Sequence, residues 1–247
     1  KNITTFLTSY LCFILWNLIT TWWIYNSTKF GALFAILVNS SFYSLMMVIY
    51  RISLNVIPKT TSQILLLSMW ISFEKFHLNW DFSWPWLNLG NVFSENVYLI
   101  QWYEYTGIFG GTLWVLIVNL FVFNLLKNEI KITNQKKILL NLLIFMALVV
   151  SPIIVSIFTY KSIAETNKKI EVAIFQPNID PYKNKFTLSN SELFKLIKNE
   201  SRKYLSTNTK YLIAPEGYFD EGLGLNLKNF KFSQLNYEIE DFLNNYK

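Results

Sequence analysis

A polytopic α-helical membrane domain followed by the start of an extracytoplasmic α/β domain is the fold this sequence predicts. Three observations carry it. Residues 1–160 are dominated by Leu, Ile, Phe, Trp and Val, whereas 161–247 turn polar and rich in Lys, Asn and Glu. The apolar half contains uncharged windows as long as bilayer crossings. The basic residues between those windows fall unevenly, as they do around membrane helices. The composition shift places the boundary between a membrane domain, 1–160, and a water-exposed domain, 161–247.

Residues 2–28, 30–50, 105–126 and 138–160 contain no charge. At about 1.5 Å per residue each crosses roughly 30 Å of hydrocarbon. Residues 60–73 form a shorter uncharged window, read as a fifth crossing whose Trp-rich continuation lies in the interface. Lys1, Arg51, Lys59, Lys127, Lys131, Lys136 and Lys137 then fall on one side, and only Lys29 and Lys75 on the other. Seven basic residues against two put the first side in the cytoplasm and the polar domain outside it. That orientation rests on five crossings, since four would invert it.

The connection 74–104, EKFHLNWDFSWPWLNLGNVFSENVYLIQWYE, is expected to be an external aromatic loop. Trp80, Trp84, Trp86, Trp102 and Tyr103 carry rings of the kind that settle at headgroup depth. Pro85 and Gly90 interrupt regular structure between them. An interfacial belt and a wall for a lipid ligand fit this composition equally. His77, the single histidine, reads as structural.

A formal net charge of +6 raises nucleic acid as a partner, but the lysines are spread along loops with no RNP-like, zinc-finger or helix-turn-helix pattern. No nucleic-acid partner is expected. Cys12 is the one cysteine, so neither an internal disulfide nor a thiolate metal cluster is available. No metal or cofactor is expected. The chain opens on Lys and runs at once into an apolar window with no signal-peptide layout, which suggests a fragment.

In the polar half, EVAIFQ (171–176) reads as a strand ending at Pro177 and Asn178. Residues 187–205 place Leu188, Leu193, Phe194, Ile197 and Leu205 at helical spacing, with Ser189 or Ser191 as N-cap. Residues 211–214 read as a second strand, 219–227 as a loop, and 235–243 as a helix capped near Ser233. Two strands make an incomplete sheet, so the domain is truncated or leans on other segments. Functional groups in open α/β sheets gather at the carboxyl ends of strands. Here those ends are Gln176-Pro177-Asn178 and Pro215-Glu216-Gly217, and Glu216 is a candidate general base. Asp220 and Glu221 are lesser candidates, and a surface carboxylate is the ordinary alternative.

Taken together, FSWPWLNLG (82–90), IQWYEYTGIFGGTLWVLIVN (100–119), TTWWIYNS (20–27), VAIFQPNID (172–180) and LIAPEG (212–217) resemble the apolipoprotein N-acyltransferase family in order and spacing. The resemblance covers nearly the whole chain. It implies a nitrilase-like (αββα) fold for the second domain and a multi-pass bacterial inner-membrane enzyme with its soluble domain in the periplasm. The implied reaction moves an acyl chain from a phospholipid to the N-terminal diacylglyceryl-cysteine of a lipoprotein. The implied mechanism uses a Glu general base, a Lys that stabilises the oxyanion and a Cys nucleophile that carries the acyl group as a thioester. Only the Glu transfers, to Glu216. The family's Lys and Cys lie farther along than position 247, so the fragment alone is expected to be inactive.

Cys12 sits in an apolar span and reads as a small buried apolar residue, not the nucleophile. Trp84, Trp86 and Phe186 are the substrate-contact candidates. Phe186 stands where the family often has Trp, as does Ala214 before Pro215. Two rival readings share parts of this pattern. One is a membrane-tethered nitrilase-type amidase using the same Glu216. The other is a non-catalytic membrane protein with an external domain.

Overall fold

The computed structural model describes residues 1–129, 135–162, 169–180, 187–219 and 227–244. Lys131, Phe186, Asp220 and Glu221 lie outside the described residues. The chain divides into two compact units, Lys1–Ala164 and Glu165–Lys247.

The first unit is a helix assembly: α1 (Asn2–Thr21), α2 (Lys29–Ser53), α3 (Lys59–His77), α4 (Tyr103–Glu129) and α5 (Gln135–Ser162). Four stretches are long and apolar enough to cross a membrane: Asn2–Asn26, Lys29–Ser53, Tyr103–Lys127 and Gln135–Ser162. The first contains α1 and a 3-10 turn, Trp22–Asn26. The turn follows two threonines whose hydroxyls bond back to the carbonyls of Trp16 and Asn17, a habit that bends helices. Thr28 then caps α2, its Oγ1 accepting the Gly31 N–H at 3.2 Å.

The expected fifth crossing falls on α3. Nineteen residues give it a length of about 28 Å, but it is less apolar than the other four. The reason lies on its packed face, where Ser62, Leu66, Trp70, Glu74 and His77 are buried at helical spacing. Polar side chains are tolerated there because neighbouring helices surround them. The helix also runs through His77, so residues 74–77 belong to α3 and not to the connecting loop.

Small residues bring α1 and α2 together. Ser40 and Ser44 are fully buried, and Asn17 Nδ2 donates to Ser40 Oγ at 3.3 Å. Tyr43, Met46, Trp70 and Leu116 form the core of the unit, with Phe13 and Trp16 against it. The Tyr43 and Trp70 rings lie 4.9 Å apart. Cys12, expected to be buried, is exposed. Among the described residues no helix covers the outer face of α1, and Leu11 and Leu15 are exposed beside it.

The second unit is smaller. β1 (Glu171–Ile174) pairs in parallel with β2 (Thr209–Ile213), matching Val172 with Tyr211 and Ile174 with Ile213. α6 (Asn190–Ser201) connects them, and α7 (Leu227–Phe230) and α8 (Gln234–Asn244) follow. Ser189 is the N-cap of α6 in a capping box with Glu192. Ser233 Oγ accepts the Asn236 N–H at 3.1 Å at the start of α8. Leu193, Phe194, Ile197, Tyr218, Leu235 and Phe242 form the core under one sheet face. On the other face Val172, Ile174, Tyr211 and Ile213 are 43%, 77%, 59% and 51% exposed.

Leu193 is 1% exposed at the centre of that core. Leu193→Ala is expected to destabilise the unit by about 2–5 kcal/mol, through lost transfer energy and an unfilled cavity. Hydrogen exchange of the α6 and α8 amides checks this, with faster exchange expected in both helices.

Candidate active site

Parallel pairing puts the carboxyl ends of β1 and β2 side by side. Phe175 N–H donates to Ile213 O at 2.8 Å and extends the pairing one residue. Beyond it the two chains part. Asn178 takes a left-handed conformation (φ 52°), which Asn tolerates better than most residues. Pro215–Tyr218 forms a tight turn closed by Tyr218 N–H to Pro215 O at 3.3 Å. Its third residue, Gly217, has φ 63°, a position where a side chain would be strained.

Gln176, Pro177, Asn178, Pro215, Glu216 and Tyr218 line a hollow of about 220 Å³ at these ends. Glu216 is exposed there. Its carboxylate makes no hydrogen bond or ion pair among the described residues. The turn beneath it is anchored by Tyr218, which is 6% exposed and donates its hydroxyl to Leu193 O at 3.0 Å. Burial pushes the Tyr218 phenol above its ordinary pKa, so it stays a donor. The result is an exposed carboxylate on an anchored turn at the edge of the hollow. Tyr218 was not singled out from sequence; the signal was an aromatic two residues after a strand-end carboxylate.

Two other glutamates in this unit are structural. The Ser189 backbone N–H, then its hydroxyl and the Lys195 ammonium, hold the Glu192 carboxyl below its usual range. Glu171 is held down by the hydroxyl of Thr209 and then that of Ser206, which tie the start of β1 to the approach of β2. A carboxylate with a lowered folded-state pKa stabilises the fold above its unfolded pKa. That contribution is lost as pH falls through the folded value. Protection of the first α6 amides is therefore expected to fall below about pH 4.3. Glu192→Gln is expected to flatten this dependence, as read by hydrogen exchange corrected for intrinsic rate.

In the first unit, Trp84 and Trp86 have separate settings. Trp84 lines a largely apolar hollow of about 570 Å³ with Trp80, Phe82, Phe34, Val38 and Ile24. Its backbone N–H donates to His77 O at 3.0 Å. Trp86 is 57% exposed and meets Trp23 edge-on at 5.2 Å. His77 is buried and stacks on Phe73 at 4.7 Å, a structural placement. Among the described residues, no group of three or more His, Cys, Asp or Glu could hold a metal.

Residues 1–121 match the family described as Apolipoprotein N-acyltransferase N-terminal domain. The Apolipoprotein N-acyltransferase of Chlorobaculum tepidum is 26% identical over 176 residues, covering 70% of this chain and 32% of that protein. The chain therefore spans under a third of that relative's length. The matched stretch is longer than the first unit, so the similarity reaches into the second. No solved structure matches the chain. Both comparisons meet on one family, and residues 1–121 are similar to its N-terminal domain, that of the apolipoprotein N-acyltransferases.

Proposed function

We propose that the chain is part of an enzyme that transfers a fatty acyl group from a phospholipid to the N-terminal diacylglyceryl-cysteine of bacterial lipoproteins. The family match over residues 1–121, within the first unit, is the observation that carries this reading. In this reading 1–160 is a membrane domain of five crossings, with α3 as the third. The domain 161–247 begins a nitrilase-like αββα fold on the periplasmic side of the inner membrane. The open apolar face of the two-stranded sheet supports that fold, since a second sheet layer would cover Val172, Ile174, Tyr211 and Ile213.

Glu216 is the general base. It removes the proton from a cysteine thiol, whose thiolate attacks the phospholipid ester carbonyl and expels the lysophospholipid. The proton passes from Glu216 to that leaving alkoxide. The lipoprotein's α-amino group then attacks the thioester while Glu216 takes its proton, which yields the amide, and passing that proton to the departing thiolate restores the thiol. A lysine ammonium steadies the oxyanion in both halves. The proposal requires that lysine and cysteine beyond Glu216 in the complete protein, because Cys12 lies on α1 within a candidate span. Trp84 and Trp86 offer aromatic surface to the acyl donor.

The test uses membranes carrying the full reading frame, a phospholipid labelled in its acyl chain, and a diacylated lipopeptide. Label in the lipopeptide as an amide is the expected result. Ammonia release from small amides without lipid transfer would assign the chain to an amidase instead.

A further inference from the structure

Glu74 is 1% exposed, yet the proposed reaction does not use it. Its carboxylate is an acceptor at three contacts. Oε1 receives the Trp70 indole N–H at 3.1 Å and the Leu89 backbone N–H at 3.0 Å. Oε2 receives the Thr112 hydroxyl at 2.6 Å. Thr112 is itself fully buried and accepts the Gly90 N–H at 3.0 Å. The Tyr103 hydroxyl donates to Gly90 O at 2.9 Å. One carboxylate on α3 thus holds two consecutive amides of the loop directly and through Thr112 of α4.

The contacts have a direction. Trp70 lies one turn before Glu74 on its own helix, so that bond only orients the carboxylate. The other two contacts leave α3 and reach the 3-10 turn Leu89–Phe93 and α4. That turn follows Pro85–Leu87, the short segment that carries Trp86. A buried carboxyl group that accepts from three donors is costly to break, because losing one partner strands the others without water.

We propose that Glu74 is a positioning residue, which with Thr112 clasps Leu89–Gly90 to the helices and so fixes the Trp84–Trp86 segment where the acyl donor is taken up. The role in donor uptake rests on the acyltransferase reading, whereas the clasp itself does not.

The experiment compares Glu74→Gln, Thr112→Val and Thr112→Ser in the full-length protein. Thr112→Val keeps the shape and removes the hydroxyl, and Thr112→Ser restores it. Hydrogen exchange over 85–96 is expected to accelerate by about tenfold or more in Glu74→Gln and Thr112→Val and to return toward the parent in Thr112→Ser. In the same variants, KM for the phospholipid is expected to rise about tenfold with kcat within about twofold, per mole of folded protein. Unchanged exchange over 85–96 in Thr112→Val overturns the clasp. Faster exchange with KM unchanged overturns the positioning role and leaves a structural bond. If the parent transfers no acyl group, the acyltransferase reading fails and the exchange arm still decides the clasp.

Discussion

Glu216→Gln is expected to lower acyl transfer by about 10²–10⁴-fold in the full-length protein, the usual contribution of a positioned general base. The substitution keeps the volume and the hydrogen-bonding reach of the side chain and removes its ability to take a proton. Because Glu216 is exposed and makes no bond among the described residues, the fold has little reason to respond. The turn that carries it is held from below by Tyr218 and Leu193 and not by the carboxylate. The measurement is single-turnover release of lysophospholipid, with hydrogen exchange of α6 as the control for folding. Glu216→Asp, which retracts the carboxylate by one methylene, is expected to fall between parent and Gln.

The second large effect is expected at Gly90→Ala. A Cβ at this position would stand 2.2 Å from Ile108 O and 2.7 Å from Ile108 Cγ1. The nearer atom belongs to the α4 backbone and cannot swing aside, so the loop or the helix must move. Movement also stretches the Gly90 N–H bond to Thr112 and the Gly90 O bond from Tyr103. A cost of about 1–3 kcal/mol follows from overpacking alone, with the strained bonds adding to it. Thermal unfolding in detergent micelles measures it, and a lowered midpoint is expected. Gly107→Ala is a useful contrast. Nothing lies within 4 Å of a Cβ there, but its φ of 65° strains any side chain.

Much of the helical half was legible because an uncharged run has few alternatives in a membrane chain. The windows 30–50, 105–126 and 138–160 all fall inside α2, α4 and α5. Capping was legible too, since Ser189 followed by Glu192 satisfies a local geometry that needs no distant partner. The end of α3 was not. Glu74 and Lys75 look like the start of a polar loop, and only the Leu89 amide and Thr112, far away in sequence, show why a carboxyl group stays inside. Cys12 failed for a similar reason, because an apolar helix hides which of its faces has a neighbour. At the candidate site, Glu216 and the two strand ends followed from the turn signals around Pro177 and Pro215. The parallel register that brings them to one hollow depends on pairing that neither strand encodes alone.

The central claim concerns what the complete protein does to a lipoprotein's amino terminus. The most direct measurement is the mass of a lipoprotein's N-terminal peptide from cells depleted of the protein, compared with cells supplied with the parent or with Glu216→Gln. Loss of one amide-linked acyl chain on depletion is the expected result, restored by the parent and not by Glu216→Gln. An N-terminus that stays fully acylated after depletion would contradict the account.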